Sequence, residues 1–255
     1  MSLTADLRDR AGTDIFGVAD AEAYGRKAPA GHRPADFMKE ARSIVVVGMR
    51  MLDYPLDRLP DTRQEYTANF HVVNTELNRL LFDLGIYLQE QGHGSLPVAY
   101  GEMPGWNLEN RPNSLIRVVR SAVTMPRVRD AIAPSLWGNL SYRHMAVDAG
   151  LGELGVNNLL LTPEHGPRVR MVALITDADL ETGTPLEDKL CKPDKCGFAC
   201  VRACPAGALK EDGSGTDKPA CLKYYLKLGT PGASGVRCGL CVAKCPVYRE
   251  SFRRA

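Results

Sequence analysis

Eight cysteines fall in the last 65 residues of the chain and none in the first 190. They read Cys191-x4-Cys196-x3-Cys200-x3-Cys204-Pro205, then Cys221 alone, then Cys238-x2-Cys241-x3-Cys245-Pro246. Two thiolate runs that each end in Cys-Pro are the ligand pattern of a protein holding two [4Fe–4S] clusters, each of which needs four thiolates. In two-cluster ferredoxins the cysteine preceding proline ligates the other cluster. That rule assigns Cys191, Cys196, Cys200 and Cys245 to one cluster. Cys204, Cys221, Cys238 and Cys241 take the second, and no cysteine is left over. The chemistry of such a set is one-electron transfer.

Two other uses of the same residues compete. Disulfides need an oxidising compartment, and the opening Met1-Ser2-Leu3-Thr4-Ala5-Asp6 lacks the apolar run of a secretory signal. Two all-cysteine zinc sites would consume the same eight ligands. Zinc sites usually pair C-x2-C knuckles, whereas here three-residue gaps twice lead into Cys-Pro. The first run is stretched relative to the compact bacterial spacing, so the total is better defined than the partition.

The elements that must position these thiols divide near residue 185. With 44% apolar residues in 255, the chain can bury a full core. A domain over residues 1–185 and a cluster module over 186–255 are expected. Residues 2–10 read as a short helix, 15–19 as a strand and 37–41 as the end of a helix. Ser43-Ile44-Val45-Val46-Val47-Gly48-Met49 is apolar on both faces, the mark of a central strand covered by helices. A long helix is expected over 64–91, where Val73, Leu77, Leu80, Leu81 and Leu84 recur at steps of three and four. Residues 97–100 and 170–176 read as further strands, giving an α/β or α+β fold. A net charge of +2 argues against nucleic acid as the main partner, and no apolar stretch is long enough for a membrane span. Cytoplasmic residence follows from the reduced thiols.

Gly150-Leu151-Gly152-Glu153-Leu154-Gly155 matches G-x-G-x-x-G, but a helix precedes it and Pro163 follows soon after. A dinucleotide fingerprint instead follows a strand and opens a long helix. The plain reading is a helix-ending loop whose glycines supply positive φ. It does not account for Asn157-Asn158 or for Pro163-Glu164-His165-Gly166-Pro167-Arg168.

The stretch from Ala149-Gly150-Leu151-Gly152 through Gly166-Pro167-Arg168-Val169-Arg170 to Thr176-Asp177 resembles a segment shared by epoxyqueuosine reductases and corrinoid-dependent reductive dehalogenases. Glu153 and the Gly-Pro-Arg-Val-Arg wording are closer to the dehalogenases. The solitary cysteine of Cys221-Leu222-Lys223-Tyr224-Tyr225 resembles the epoxyqueuosine reductases, and Asn69-Phe70-His71 is similar to their Asp-Tyr-His.

The resemblance implies a nitroreductase-like domain that holds cobalamin, followed by a bacterial-ferredoxin-like module with two [4Fe–4S] clusters. The clusters would feed single electrons to cobalamin for a reductive step on a small-molecule substrate, with an external donor such as ferredoxin or flavodoxin. Gly150, Gly152, Asn157 and Asn158 would lie beside the corrin. The aspartate that donates a proton in epoxyqueuosine reductases has no counterpart, since candidate alignments place Leu136 or the run Ala99-Tyr100-Gly101 there. Dehalogenases use a tyrosine near a basic residue, which makes Tyr142 with Arg143, or Tyr100, the candidate catalytic groups. A cobalamin-free electron-transfer protein is the competing expectation, and a zinc-stapled module a third. Lys189, Lys192, Lys195, Arg202, Lys210, Lys218, Lys223, Lys227, Arg237 and Lys244 give the cluster module a basic character.

Overall fold

The computed structural model describes residues 2–98, 125–128, 138–228 and 236–249. Its centre is a four-stranded sheet made by β1 (Ile15–Asp20), β2 (Ser43–Arg50), β3 (Ser95–Pro97) and β6 (Val169–Thr176). The order is β1-β2-β6-β3 and every neighbouring pair is antiparallel. A separate hairpin joins β4 (Glu153–Leu154) to β5 (Leu160–Leu161).

The apolar run of β2 explains its place. Ile44, Val45, Val46 and Val47 are all fully buried, and successive side chains leave opposite faces of a strand. Val45 and Val47 join one core with Phe16, Val18, Val172 and Leu174. Ile44 and Val46 join the other with Ile15, Ala19, Ala173 and Ile175. The expectation of a strand covered on both sides holds.

One face is covered by the long helix α4 (Arg63–Glu90). Its buried Val73, Leu77, Leu81, Leu84 and Leu88 form the stripe that the sequence spacing predicts. Each fully buried leucine contributes about 1.5–3 kcal/mol relative to exposure. Leu80 packs at the margin of that core. The opposite face is covered by α2 (Ala21–Lys27) and α5 (Tyr142–Asp148), through Tyr24, Met145 and Ala146. Helix α1 (Leu3–Ala11) is capped by Ser2, whose hydroxyl accepts the Ala5 N–H at 3.3 Å. The short α3 (Asp53–Asp57) sits beside the start of α4.

Residues 37–41 differ from the helix expected there. Pro34 opens a single 3₁₀ turn over Pro34–Asp36, and the N–H groups of Phe37 and Met38 both bond back to its carbonyl. The turn then stops, so residues 37–41 carry the chain to β2 without a helix. The strand expected over 97–100 is placed as Ser95–Pro97, with Val98 still bonded to Ala173 and residues 99 and 100 outside the described ones. The compositional change near residue 185 does not divide the core. Val242, from the cysteine-rich end, is buried in the same cluster as Leu77 and Val172.

Candidate functional site

The cysteines sit on and between four short helices, α6 (Pro193–Cys196), α7 (Ala199–Arg202), α8 (Lys218–Leu228) and α9 (Leu240–Ala243). Left-handed residues redirect the chain so that distant thiols can meet. Gly197 and Phe198 have φ of 56° and 55°, and Gly239 has φ of 66°. A Cβ on Gly239 would sit 2.5 Å from the Tyr66 ring, so glycine is required there on two counts.

Cys191, Cys196, Cys200 and Cys245 line one recess, together with Val156, Asn157, Leu161 and Val247. Burial first, then the neighbouring thiols of the same set, push Cys245 up to about 12. Cys200 is raised in the same way. Cys241 is also pushed up to about 12, first by burial and then by Cys221, Cys238 and Cys204. Cys200 acts on Cys241 as well, more weakly, so the two sets adjoin. The four thiols expected for the first cluster thus share one recess, and Cys204, Cys221 and Cys238 lie near enough to Cys241 to act on it.

Both groups suit an iron–sulfur cubane on their chemistry. They are sulfur-only, all but Cys221 are at least partly buried, and they include backbone N–H groups aimed at sulfur. Val156 donates to Cys191 Sγ at 3.5 Å and Ala208 to Cys204 Sγ at 3.3 Å. Buried thiols resist ionising alone, and cationic iron would supply the compensating charge. All eight cysteines are free of disulfides. Among the described residues no three His, Cys, Asp or Glu side chains converge as a single metal ion requires.

The residues expected beside a corrin face the protein itself. Gly150 has φ of 77° at the end of α5, and a Cβ there would run into the Thr184 carbonyl. A Cβ on Gly152 would run into the Leu161 carbonyl. Asn157 is 3% exposed; its Oδ1 accepts the Leu159 N–H at 3.2 Å and its Nδ2 donates to the Cys241 carbonyl at 3.4 Å. Asn158 adopts φ of 57° and donates to Thr216 Oγ1 at 3.2 Å. The smallness and polarity of this loop mark a close backbone approach, but the approaching groups belong to residues 161, 184, 216 and 241. These glycines are thus required by the chain's own packing.

Tyr142 opens α5, and its hydroxyl donates to the Val98 carbonyl at 2.6 Å. Arg143 is largely desolvated, which lowers it, and it donates to the Asn158 carbonyl. His144 bonds Ser141, and His165 pairs with Asp14 at 2.9 Å, both local structural roles. Tyr100 lies outside the described residues.

Two residues entered the reading of the sequence through the family resemblance, with no role given to either. Arg168 is 2% exposed, with Nη1 2.7 Å from Asp53, Nη2 2.5 Å from Asp57 and the Tyr248 ring 3.3 Å from its guanidinium carbon. This clamp fixes the segment that follows Cys245 against α3 and the start of β6. Its only trace in the sequence was the unexplained Gly166-Pro167-Arg168. Glu153 places Oε1 against the main-chain N–H of Cys191.

No protein-family model matches the chain. It is 42% identical over 92 residues to an epoxyqueuosine reductase of Listeria monocytogenes, a match covering 35% of this chain and 22% of that protein. It is 35% identical over 121 residues to a tetrachloroethene reductive dehalogenase of Dehalobacter restrictus, covering 40% and 21%. The matched part is thus about a fifth of the length of either relative. Among solved structures, an epoxyqueuosine reductase superposes with a TM-score of 0.59 at 20% identity, over 97% of this chain and 66% of that one. A dehalogenase studied for B12-dependent dehalogenation superposes with a TM-score of 0.63 at 18% identity, over 97% and 32%. The chain is therefore similar in sequence and fold to both families, as the resemblance implied. An epoxyqueuosine reductase that superposes with a TM-score of 0.57 at 18% identity has been solved with an epoxyqueuosine-modified tRNA stem loop. No described helix is long and apolar enough to cross a membrane.

Proposed function

We propose, from the similarity to epoxyqueuosine reductases and reductive dehalogenases, that this chain is an iron–sulfur reductase. Two [4Fe–4S] clusters, one on Cys191, Cys196, Cys200 and Cys245 and one on Cys204, Cys221, Cys238 and Cys241, relay single electrons to an acceptor at the α/β layer. What supports this reading is the recess shared by Cys191, Cys196, Cys200 and Cys245, with Cys221, Cys238 and Cys204 close enough to Cys241 to act on it. Residues 186–255 act as the cluster module and residues 1–185 as the layer that receives the electrons. A small molecule is the final substrate, and a ferredoxin or flavodoxin is the donor class suited to a module rich in lysine and arginine. Unpaired cysteines suit a reducing compartment, the cytoplasm.

Cobalamin is the acceptor that the relatives suggest. When bound it would supply the bond-breaking chemistry. Loop 150–158 is occupied by the chain's own contacts, so no step is assigned through it. The protein's own part is to keep the thiols dry, to hold the two groups against one core and to aim N–H donors at sulfur. A cobalamin-free electron carrier is the second reading, and the bonding of Tyr142 to Val98 favours it, since that hydroxyl already has an acceptor.

The deciding measurement is iron, cobalt and zinc per chain after oxygen-free purification, incubation with cobalamin and desalting. About eight irons and one cobalt establish the corrinoid reductase. Eight irons without cobalt leave the electron carrier, and zinc in place of iron overturns both.

A further inference from the structure

Two clusters in one relay need an order of potentials, and the charges packed against their ligands set that order. Reduction adds an electron to a cluster, so a nearby carboxylate disfavours it and a nearby guanidinium favours it.

The first group meets a carboxylate. Glu153 lies on β4, half-buried, with Oε1 accepting the main-chain N–H of Cys191. The cations on this side stand further into solvent. Lys189 and Lys195 are exposed. Lys192 lines the recess at its partly exposed rim. Arg202 is exposed and reaches the Cys196 carbonyl at 3.3 Å. Exposed charges are screened within about 10 Å of salt solution, whereas a group held at the ligand's own amide is not.

The second group meets cations of a different kind. Arg63 donates to the Tyr224 hydroxyl at 3.3 Å, three residues beyond Cys221. Arg170 and Arg237 lie over the Phe70 ring at 4.2 and 4.3 Å, beside the Tyr66 ring that covers Gly239. All three arginines are partly buried. The opposing carboxylate, Asp217, accepts the Ala220 N–H at 3.0 Å rather than that of a cysteine. Backbone donors to sulfur occur in both groups, at 3.5 Å and 3.3 Å, and do not separate them.

We propose that Glu153 is a potential-setting residue, whose carboxylate makes the cluster on Cys191, Cys196, Cys200 and Cys245 the lower-potential member of the pair. It acts through Cys191 and is a positioning residue in the relay. The inference rests on the two-cluster reading.

The test is a redox titration followed by electron paramagnetic resonance on the full-length, iron-loaded protein and on Glu153→Gln, which keeps an acceptor for the Cys191 amide but removes the charge. Iron content is measured on the same samples, so absence of eight irons in the unaltered protein overturns the two-cluster reading and this inference with it, whereas eight irons without the shift overturn this inference alone. The expected result is a rise of the lower potential alone, by about tenfold in its reduction equilibrium, or ~59 mV for one electron. Glu153→Asp, which keeps the charge, should hold the lower value. No shift, or an equal shift of both clusters, overturns the proposal. If Glu153→Gln does not load, the order is read in the unaltered protein, with Cys196→Ser marking the first cluster. Equal potentials, or the higher one at the marked cluster, then refute it.

Discussion

The guanidinium carbon of Arg168 lies over the ring of Tyr248, 3.3 Å from its centroid, while its Nη atoms hold Asp53 and Asp57. Tyr248 stands three residues beyond Cys245, so this contact ties a candidate cluster ligand to the start of β6. Arg168→Met removes two charge-assisted hydrogen bonds but leaves carboxylates that are half in water. The expected cost is about 2–4 kcal/mol. It should appear as a fall in Tm of roughly 5–10 °C, with the iron content matched to the unaltered protein.

Acid should act through the same clamp. Burial alone would raise Asp57, but the Arg168 hydrogen bond and charge outweigh it and leave the carboxyl below its ordinary value of 3.8. A carboxyl depressed on folding adds stability above its unfolded value, and that stability fades as pH falls through the lower folded value. Denaturant midpoints measured below pH 4 should therefore drop more steeply for the unaltered chain than for Arg168→Met. Parallel curves would remove Asp57 from the account.

The partition of ligands has a pairing test. Cys245→Ala with Cys191→Ala should lose no more iron than either change alone, about four of eight atoms, because both strike one cluster. Cys245→Ala with Cys238→Ala should lose nearly all of it. The reverse pattern would exchange the two Cys-Pro ligands.

Gly152→Ala should destabilise the chain whether or not any cofactor is added, by about 1–3 kcal/mol, because the new methyl meets the Leu161 carbonyl. Thermal melts of the protein with and without cobalamin decide this. A loss confined to the cobalamin-treated sample would return the loop to a corrin-facing role.

Tyr142→Phe loses one hydrogen bond, to the Val98 carbonyl. A stability change of about 0.5–1.5 kcal/mol is expected, with turnover of any substrate found reduced no more than severalfold. A collapse of kcat with an unchanged melt would make the hydroxyl a proton donor.

The features legible in the sequence are those that a local rule dictates. Thiolate chemistry fixes residue type and spacing, so the recess shared by Cys191, Cys196, Cys200 and Cys245 could be anticipated from the Cys-Pro rule. The runs of Val and Ile in β2 and the three-four rhythm of α4 report burial directly, because strand and helix periods turn it into pattern. What could not be read depends on partners far along the chain. Gly152 announces that something approaches closely, but nothing near it says that the visitor is Leu161. Arg168 looks like a surface charge until Asp53, Asp57 and Tyr248 arrive from 115, 111 and 80 residues away. Residues 37–41 have helix-forming composition, and the tight turn begun at Pro34 overrode it.

Val242 has a further consequence. It fills a place in the main core from within the Cys241–Cys245 segment, so the hydrophobic interior is closed by a residue whose neighbours are candidate metal ligands. On the proposed reading, iron is a ligand of the folding equilibrium for the whole chain. Oxidative loss of a cluster would then register far from sulfur, as an opened interior beneath α4 and faster cleavage by protease.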